Sequence, residues 1–310
     1  MEEYAERLEK AAPSTIKWIQ AKRILTRNRS TDWFGTDHTM NLYRGCPHGC
    51  VYCDSRSECY QDDCFDQVKG KENALELLRN ELRRKIRPAF ISMGSMSDPY
   101  NPYEKELELT KKALMLIYSY ECGVAVCTKS DLILRDRMLY GDIQKQAPVI
   151  CKLTVTTMDE SLAGKLEPGA PTPKARMKAV EGLSAEGIFT GILLMPVLPF
   201  LEDDPKQVMA VVDAATEAGA KFVYAFFGVT CRDRQRAYLY QALEQKFPGV
   251  RTQYEKRFGN QYQCLSPKAK ELWGMLRERC EEKGLLCEMK HIVAAAKRPY
   301  LDTQLTIFDM

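Results

Sequence analysis

The chain has 310 residues, with 45 Lys and Arg against 42 Asp and Glu, a formal net charge of +3 and 45% hydrophobic residues. That length excludes a minimal domain and suits either about two domains or one α/β barrel with a sizeable core. The near-neutral balance does not mark a general nucleic-acid binder, and it leaves room for a local basic patch.

The opening MEEYAERLEK lacks the apolar core of a signal peptide. The longest apolar stretch, residues 188–201, is short and interrupted by Pro196 and Pro199, so it does not span a bilayer. No membrane segment and a cytoplasmic location are therefore expected. In a reducing compartment, 12 cysteines point to buried thiols plus a metal site rather than to a disulfide framework.

In chain order, residues 1–38 read as an N-terminal extension, with a short charged helix at 2–10 and Trp18, Trp33 and Phe34 as anchors. From there strands and helices alternate. Strands are expected at 40–44, 89–93, 123–128, 149–157, 189–198 and 221–227. Helices fall between them at 72–87, 104–120, 131–146, 172–185 and 204–217. Asp131 is the expected N-cap of the third, while Thr172–Pro173 and Asp204–Pro205 give the last two a cap residue followed by proline. Strand, helix, strand repeated in this way means a parallel α/β sheet, open or closed into a barrel. Residues 231–300 read as a mainly helical cap, with helices at 232–245 and 267–283, and 301–310 as a tail.

The densest chemistry is RGCPHGCVYCDSRSECY, where Cys46, Cys50 and Cys53 stand at C-x3-C-x2-C spacing directly after the first strand. Thiolates are the usual ligands of iron–sulfur clusters, and Gly45, Pro47 and Gly49 let one loop turn around a single cluster. Three thiolates on a 4Fe-4S cluster leave one iron open, as a catalytic metal centre requires. The alternative is a zinc knuckle with Cys59, Cys64 or His48 as fourth ligand. It sits less well with a single C-x2-C and scattered histidines.

The aromatic Tyr52 before the last cysteine makes this loop resemble the radical S-adenosylmethionine (SAM) superfamily. The segments MNLYRGCPHGCVYCDSRS, GSMSDPYNPYE, TKSDLILRD, LTVTTMDESLAGKLEPGAPTPKARMKAVEGL and GILLMPVLPFLED resemble its spore photoproduct lyase-like branch. The resemblance implies a partial (βα)6 barrel over residues 39–230, carrying cluster and SAM at the carboxyl ends of the strands. It implies that SAM chelates the open iron, that one electron cleaves it, and that the 5′-deoxyadenosyl radical takes a hydrogen atom from the substrate. A flavodoxin or ferredoxin supplies electrons in such proteins.

By the same resemblance, Tyr52 touches SAM, and Gly94, Ser95, Ser97 and Asp98 receive its amino group. Lys129 meets its carboxylate, Thr156 and Thr157 the ribose hydroxyls, Arg176 a carboxylate, and Met195 and Pro196 the adenine. Taken singly, each of these residues also suits an ordinary turn, strand or solvated helix position. One departure stands out. Lyases of this branch carry a hydrogen-donor cysteine near the end of the second strand, where this loop reads GSMSDP, with Ser95 or Met96 in its place. A serine O–H bond is too strong to return hydrogen as a thiol does, so the resemblance extends to SAM cleavage rather than to lesion repair.

Two further features bear on partners. Gln304, Leu305, Thr306, Ile307 and Phe308 resemble the short motif that docks bacterial repair proteins on the DNA sliding clamp; the alternative is a tail folded back on the body. The basic runs RNELRRKIR (79–87) and CRDRQR (231–236) suit phosphates or plain solvated helix faces. The expected function is radical SAM chemistry on a nucleic acid or related substrate. A non-catalytic metal and clamp-binding module, or radical chemistry on a protein or small metabolite, are the alternatives.

Overall fold

The computed structural model describes residues 16–85 and 87–300. The helix expected at 2–10 and the 301–310 tail, with its Gln304, Leu305, Ile307 and Phe308, lie outside these residues. The strands described are β1 (Lys17–Ile19), β2 (Leu25–Arg27), β3 (His38–Met40), β4 (Tyr43–Arg44), β5 (Lys69–Lys71) and β6 (Phe90–Met93), followed by β7 (Gly123–Thr128), β8 (Val149–Thr154), β9 (Thr190–Leu194), β10 (Phe222–Ala225), β11 (Gly228–Thr230) and β12 (Gln263–Leu265). The principal sheet runs β10-β9-β8-β7-β6-β3-β2. Strands β3 and β6 to β10 are parallel, and β2 joins antiparallel at the edge. This is the parallel α/β sheet that the alternation predicted.

The central strands β6, β8 and β9 are buried along their whole length because they are covered on both faces. On the outer face Val124, Val126, Cys151, Leu153, Ile192 and Leu194 pack with the crossover helices Leu109–Ser119, Pro173–Ala185 and Pro205–Glu217. On the inner face Phe90, Ala125, Ile150 and Phe222 meet Phe34 and, from helix Met289–Lys297, Ile292 and Ala296. These inner residues lie at the start of their strands. Phe34 and the last helix therefore fill the amino end of the barrel and leave the carboxyl end free. That helix went unpredicted, as did the helices Glu160–Leu166 and Val250–Phe258.

The caps of two helices form as expected. Thr172 Oγ1 accepts from Ala175 N at 3.2 Å, and Asp204 Oδ1 accepts from Lys206 N at 2.9 Å. Asp131 is not a cap. Ser130, one residue earlier, uses its hydroxyl to accept from Leu132 N, and a 3-10 turn (Asp131–Asp136) precedes the helix Arg137–Gln144. The helix expected over 104–120 breaks at Glu108, where φ is +49°.

Strand ends were overrun. The segment predicted at 40–44 divides: β3 stays in the barrel, while β4 turns away to pair antiparallel with β5. Strand β8 stops at Thr154, not 157. Strand β9 stops at Leu194, because Pro196, joined by a cis peptide to Met195, has no N–H to donate.

The N-terminal extension is woven into the body rather than appended. Beyond the β1–β5 and β2–β3 pairings, Glu81 accepts from Ile24 N and Leu25 N. Of its expected anchors Phe34 is fully buried, whereas Trp18 and Trp33 keep 43% and 40% of their surface exposed. Among the described residues no helix is long and apolar enough to cross a membrane.

Candidate active site

The cysteine loop leaves β4 through Gly45, whose φ is +80° and where a Cβ would sit 2.4 Å from the Gln67 carbonyl oxygen. It is then held from three directions by segments far away in sequence. Cys46 N donates to Phe65 O at 2.8 Å, Val51 N to Leu166 O at 2.9 Å, and Gln235 Nε2 to Tyr52 O at 3.2 Å. Gly169 N donates to His48 O at 2.8 Å, and the approach is so close that a Cβ on Gly169 would lie 2.5 Å from Pro47 O. A loop of small residues and turns thus becomes a fixed cradle through its tertiary partners.

Cys46, Cys50 and Cys53 line one cavity of about 430 Å³ at the carboxyl ends of the strands. That volume is in the range of small-molecule sites. Tyr52, Gly94, Ser95, Ser97, Asp98, Lys129, Met195 and Pro196 share its walls. Thr156, Thr157 and Arg176 are not in the wall. They are buried behind it. The threonine that reaches the cavity is Thr154, the last residue of β8. Cys127, Thr128, His48, Phe226 and Thr230 also line it. Sequence reasoning had named His48 only as an alternative zinc ligand and missed the other four, although Cys127 and Thr128 end a strand whose next residue, Lys129, it had singled out.

The wall is braced by two buried carboxylates. Asp98 accepts from Thr128 Oγ1 at 2.6 Å, Lys129 N at 2.8 Å and Tyr100 N at 2.9 Å, tying the loop after β6 to the end of β7. His48 Nδ1 lies 3.5 Å from Asp98 Oδ2. Burial lowers the His48 pKa despite that carboxylate.

Glu167 is the second. It receives the Tyr52 hydroxyl, sits 2.5 Å from Arg176 Nη2 and lies 3.8 Å from Lys129 Nζ. Burial pushes its carboxyl up, but Arg176 and then Lys129 outweigh this and hold it below its ordinary value. Burial likewise opposes the Lys129 charge, while Cys50 and Glu167 hold its ammonium above the usual lysine value. Arg176 also donates to Thr154 O and Pro171 O, so it positions β8 rather than facing a ligand. Thr156 bonds Glu202, and Thr157 Oγ1 accepts from Asp159 N at 3.0 Å.

The donor set fits an iron–sulfur cluster. Burial raises all three thiols, Cys46 to about 12 with Asp98 adding to the effect. Ligation would release their protons to a cationic centre. Among the described residues no three His, Cys, Asp or Glu side chains converge closely enough to hold a single metal ion. Cys59 and Cys64 are exposed.

The run at 231–236 does not present its arginines to solvent anions. Arg232 Nη2 lies 2.5 Å from Asp54 Oδ2, Arg234 pairs with Asp63, and Arg236 donates to the carbonyls of Gly259, Asn260 and Gln261. Its carboxylate partners stand beside the cysteine loop, so the run fastens helix Asp233–Lys246 to that loop.

A thiol-lined cavity thus opens at the carboxyl ends of six parallel strands. Solved spore photoproduct lyases share the fold. One with bound AdoMet and dinucleoside spore photoproduct aligns with a TM-score of 0.65 over 93% of this chain and 93% of that one, at 11% identity. A second, complexed with dinucleoside spore photoproduct, gives 0.66 over 89% and 82%, at 13% identity. The radical SAM methyltransferase of Kitasatospora setae gives 0.53 over 79% and 51%, at 14% identity.

The family model described as the radical SAM superfamily matches residues 40–212, and the chain belongs to that superfamily. An uncharacterised protein of Mycobacterium tuberculosis is 30% identical over 249 residues, covering 78% of this chain and 72% of its own length. One of Methanocaldococcus jannaschii is 32% identical over 173 residues, covering 54% and 63%. Members of the family use a 4Fe-4S cluster and SAM and draw on a reductant.

Proposed function

We propose that this protein cleaves SAM reductively at a 4Fe-4S cluster held by Cys46, Cys50 and Cys53, and that the radical acts on a nucleic-acid substrate. The observation that carries the reading is the convergence of these three thiols, and no fourth cluster thiol from the same loop, on one cavity at the strand ends. When bound, the reduced cluster supplies the electron that splits SAM into methionine and a 5′-deoxyadenosyl radical.

The chain's own residues do the rest. Lys129, held charged, stands on the cavity wall where it can meet a carboxylate. Gly94, at φ +86°, passes so close to the Cys127 carbonyl that it lines the cavity with bare backbone. Met195, Pro196 and Phe226 supply apolar surface for an adenine. Tyr52 and Arg176 act through Glu167 as positioning residues.

Anaerobic reconstitution with iron and sulfide, followed by reduction and addition of SAM, tests the reading. The expected result is a brown protein that forms 5′-deoxyadenosine and loses both properties in Cys46→Ala, Cys50→Ala and Cys53→Ala. Stoichiometric zinc with no visible band would sink it. A flavodoxin or ferredoxin is the proposed electron donor. Docking on the sliding clamp through Gln304, Leu305, Ile307 and Phe308 is proposed from the sequence alone. It predicts that deleting 304–310 abolishes clamp capture in a pull-down.

A further inference from the structure

Beside the thiol-lined cavity lies a second, of about 320 Å³, between the segment that follows β1 and the β4–β5 pair. Met96 stands in the wall of both cavities. Asn41 joins them as well. Its backbone carbonyl accepts from Lys71 Nζ at 2.6 Å, and its Oδ1 accepts from Met96 N at 3.3 Å.

The lining of this second cavity is unbalanced in charge. Lys22, Arg23, Arg44 and Lys71 face Asp62, the sole carboxylate in the wall among the described residues. Asp62 is already committed, to Arg44 Nε at 3.1 Å and to Lys69 Nζ at 2.5 Å. Arg44 directs Nη2 at the backbone carbonyls of Tyr60 and Gln61. Lys71 has a carbonyl for its partner and, among the described residues, no carboxylate. Burial, and then the neighbouring Arg44 charge, lower its pKa, the signature of a cation that lacks a counter-ion. Surplus positive charge, part-buried next to the site of chemistry, is stabilised by an anion with several acceptor oxygens.

We propose that this cavity is the substrate's phosphate subsite, taking a phosphodiester of a nucleic-acid strand whose neighbouring nucleotide passes Met96 into the thiol-lined cavity. The inference rests on the nucleic-acid reading above and adds to it the place where the strand is held. The rings of Tyr60 and Phe65 stand in the same wall and give apolar surface beside the anion.

The test uses the full chain with its cluster reconstituted, under anaerobic conditions, and a fluorescein-labelled single-stranded DNA of about 12 nucleotides read by anisotropy. Lys22 and Arg23 are exposed, so replacing them leaves the core untouched. Lys22→Ala with Arg23→Ala is compared with Lys178→Ala with Lys270→Ala, an equal loss of charge on exposed faces of two outer helices. The first pair is expected to weaken binding about tenfold and to lower the slope of log K against log salt by about 2. The second pair is expected to change neither.

No binding by the unsubstituted protein, no effect of the first pair, or equal effects of both pairs would overturn the subsite. Displacement of the DNA by a mononucleotide at equal phosphate concentration would overturn the strand as its source. Iron content and 5′-deoxyadenosine formation of the unsubstituted protein report on the radical SAM reading separately. A cluster-bearing protein that ignores DNA fails the nucleic-acid reading and the subsite with it, whereas one that binds DNA equally well without Lys22 and Arg23 fails the subsite alone. A protein without a cluster whose DNA binding depends on Lys22 and Arg23 fails the cluster alone.

Discussion

Replacing Arg176 by methionine probes the charge network that braces the cluster loop. Arg176 is 1% exposed, its Nη2 is 2.5 Å from Glu167 Oε2, and it donates to Pro171 O at 2.8 Å and Thr154 O at 2.9 Å. Methionine restores much of the volume. It leaves Glu167 with only the Tyr52 hydroxyl and Lys129, whose Nζ is 3.8 Å away, and it leaves two carbonyls without this donor. Removing one partner of a buried pair costs about 3–5 kcal/mol. Each lost hydrogen bond is worth on the order of 1 kcal/mol, so the expected loss is at least about 3 kcal/mol.

Urea unfolding of the reduced, cluster-free protein measures it, with the slope m unchanged. The acid limb gives a second readout. Because the folded Glu167 pKa is depressed, its contribution is full above the unfolded carboxylate value of about 4.3 and is lost as pH falls through the folded value. That dependence should shrink in Arg176→Met. The double variant Glu167→Gln with Arg176→Met removes the stranded charge and should recover part of the loss, but not the two carbonyl bonds. A loss under about 1 kcal/mol with an unchanged acid limb would refute the argument that this pair holds the loop in place.

Three further outcomes follow from single buried groups. Burial raises Glu202 to about 8, against hydrogen bonds from Thr156 and Leu198 N. The folded state therefore binds the extra proton, and stability falls as pH rises from about 4.3 to 8. Glu202→Gln should flatten that slope and be the more stable protein at pH 9 in a thermal melt. Burial lowers Lys152 to about 8, and among the described residues its Nζ has no hydrogen-bond partner, standing 4.2 Å over the Phe34 ring. Its cost is full below the folded value and disappears by about pH 10.4. Lys152→Met should thus gain roughly 2–3 kcal/mol at pH 7 in urea unfolding and lose the alkaline rise in stability. At Gly94 a Cβ would fall 2.0 Å from the Cys127 carbonyl oxygen. Gly94→Ala should cost more than about 2 kcal/mol and lower the iron retained after reconstitution, by metal analysis.

Much of the site was legible where the signal is local. The spacing of Cys46, Cys50 and Cys53 is a statement about one loop, and a loop of that composition can wrap one cofactor wherever it sits. Thr172–Pro173 and Asp204–Pro205 act within a single turn of helix, so they formed as expected. Asp131 failed as a cap because a neighbouring hydroxyl, Ser130, made the same local bond one residue sooner. Thr156 and Thr157 were assigned to the cavity on the assumption of a longer strand. Once β8 ends at Thr154, that residue takes the last inward position and the later two turn to Glu202 and Asp159.

The sequence by itself determined the alternation of strands and helices and the cofactor loop, because both are encoded over a few consecutive positions. Only the tertiary structure decided which charges meet. It paired Arg176 with Glu167, spent the arginines of residues 231–236 on Asp54, Asp63 and backbone carbonyls, and, among the described residues, left Lys22, Arg23 and Lys71 without carboxylates around a second cavity. A charged side chain takes its partner from whatever the fold brings within a few ångströms, and no local pattern in the chain records that distance.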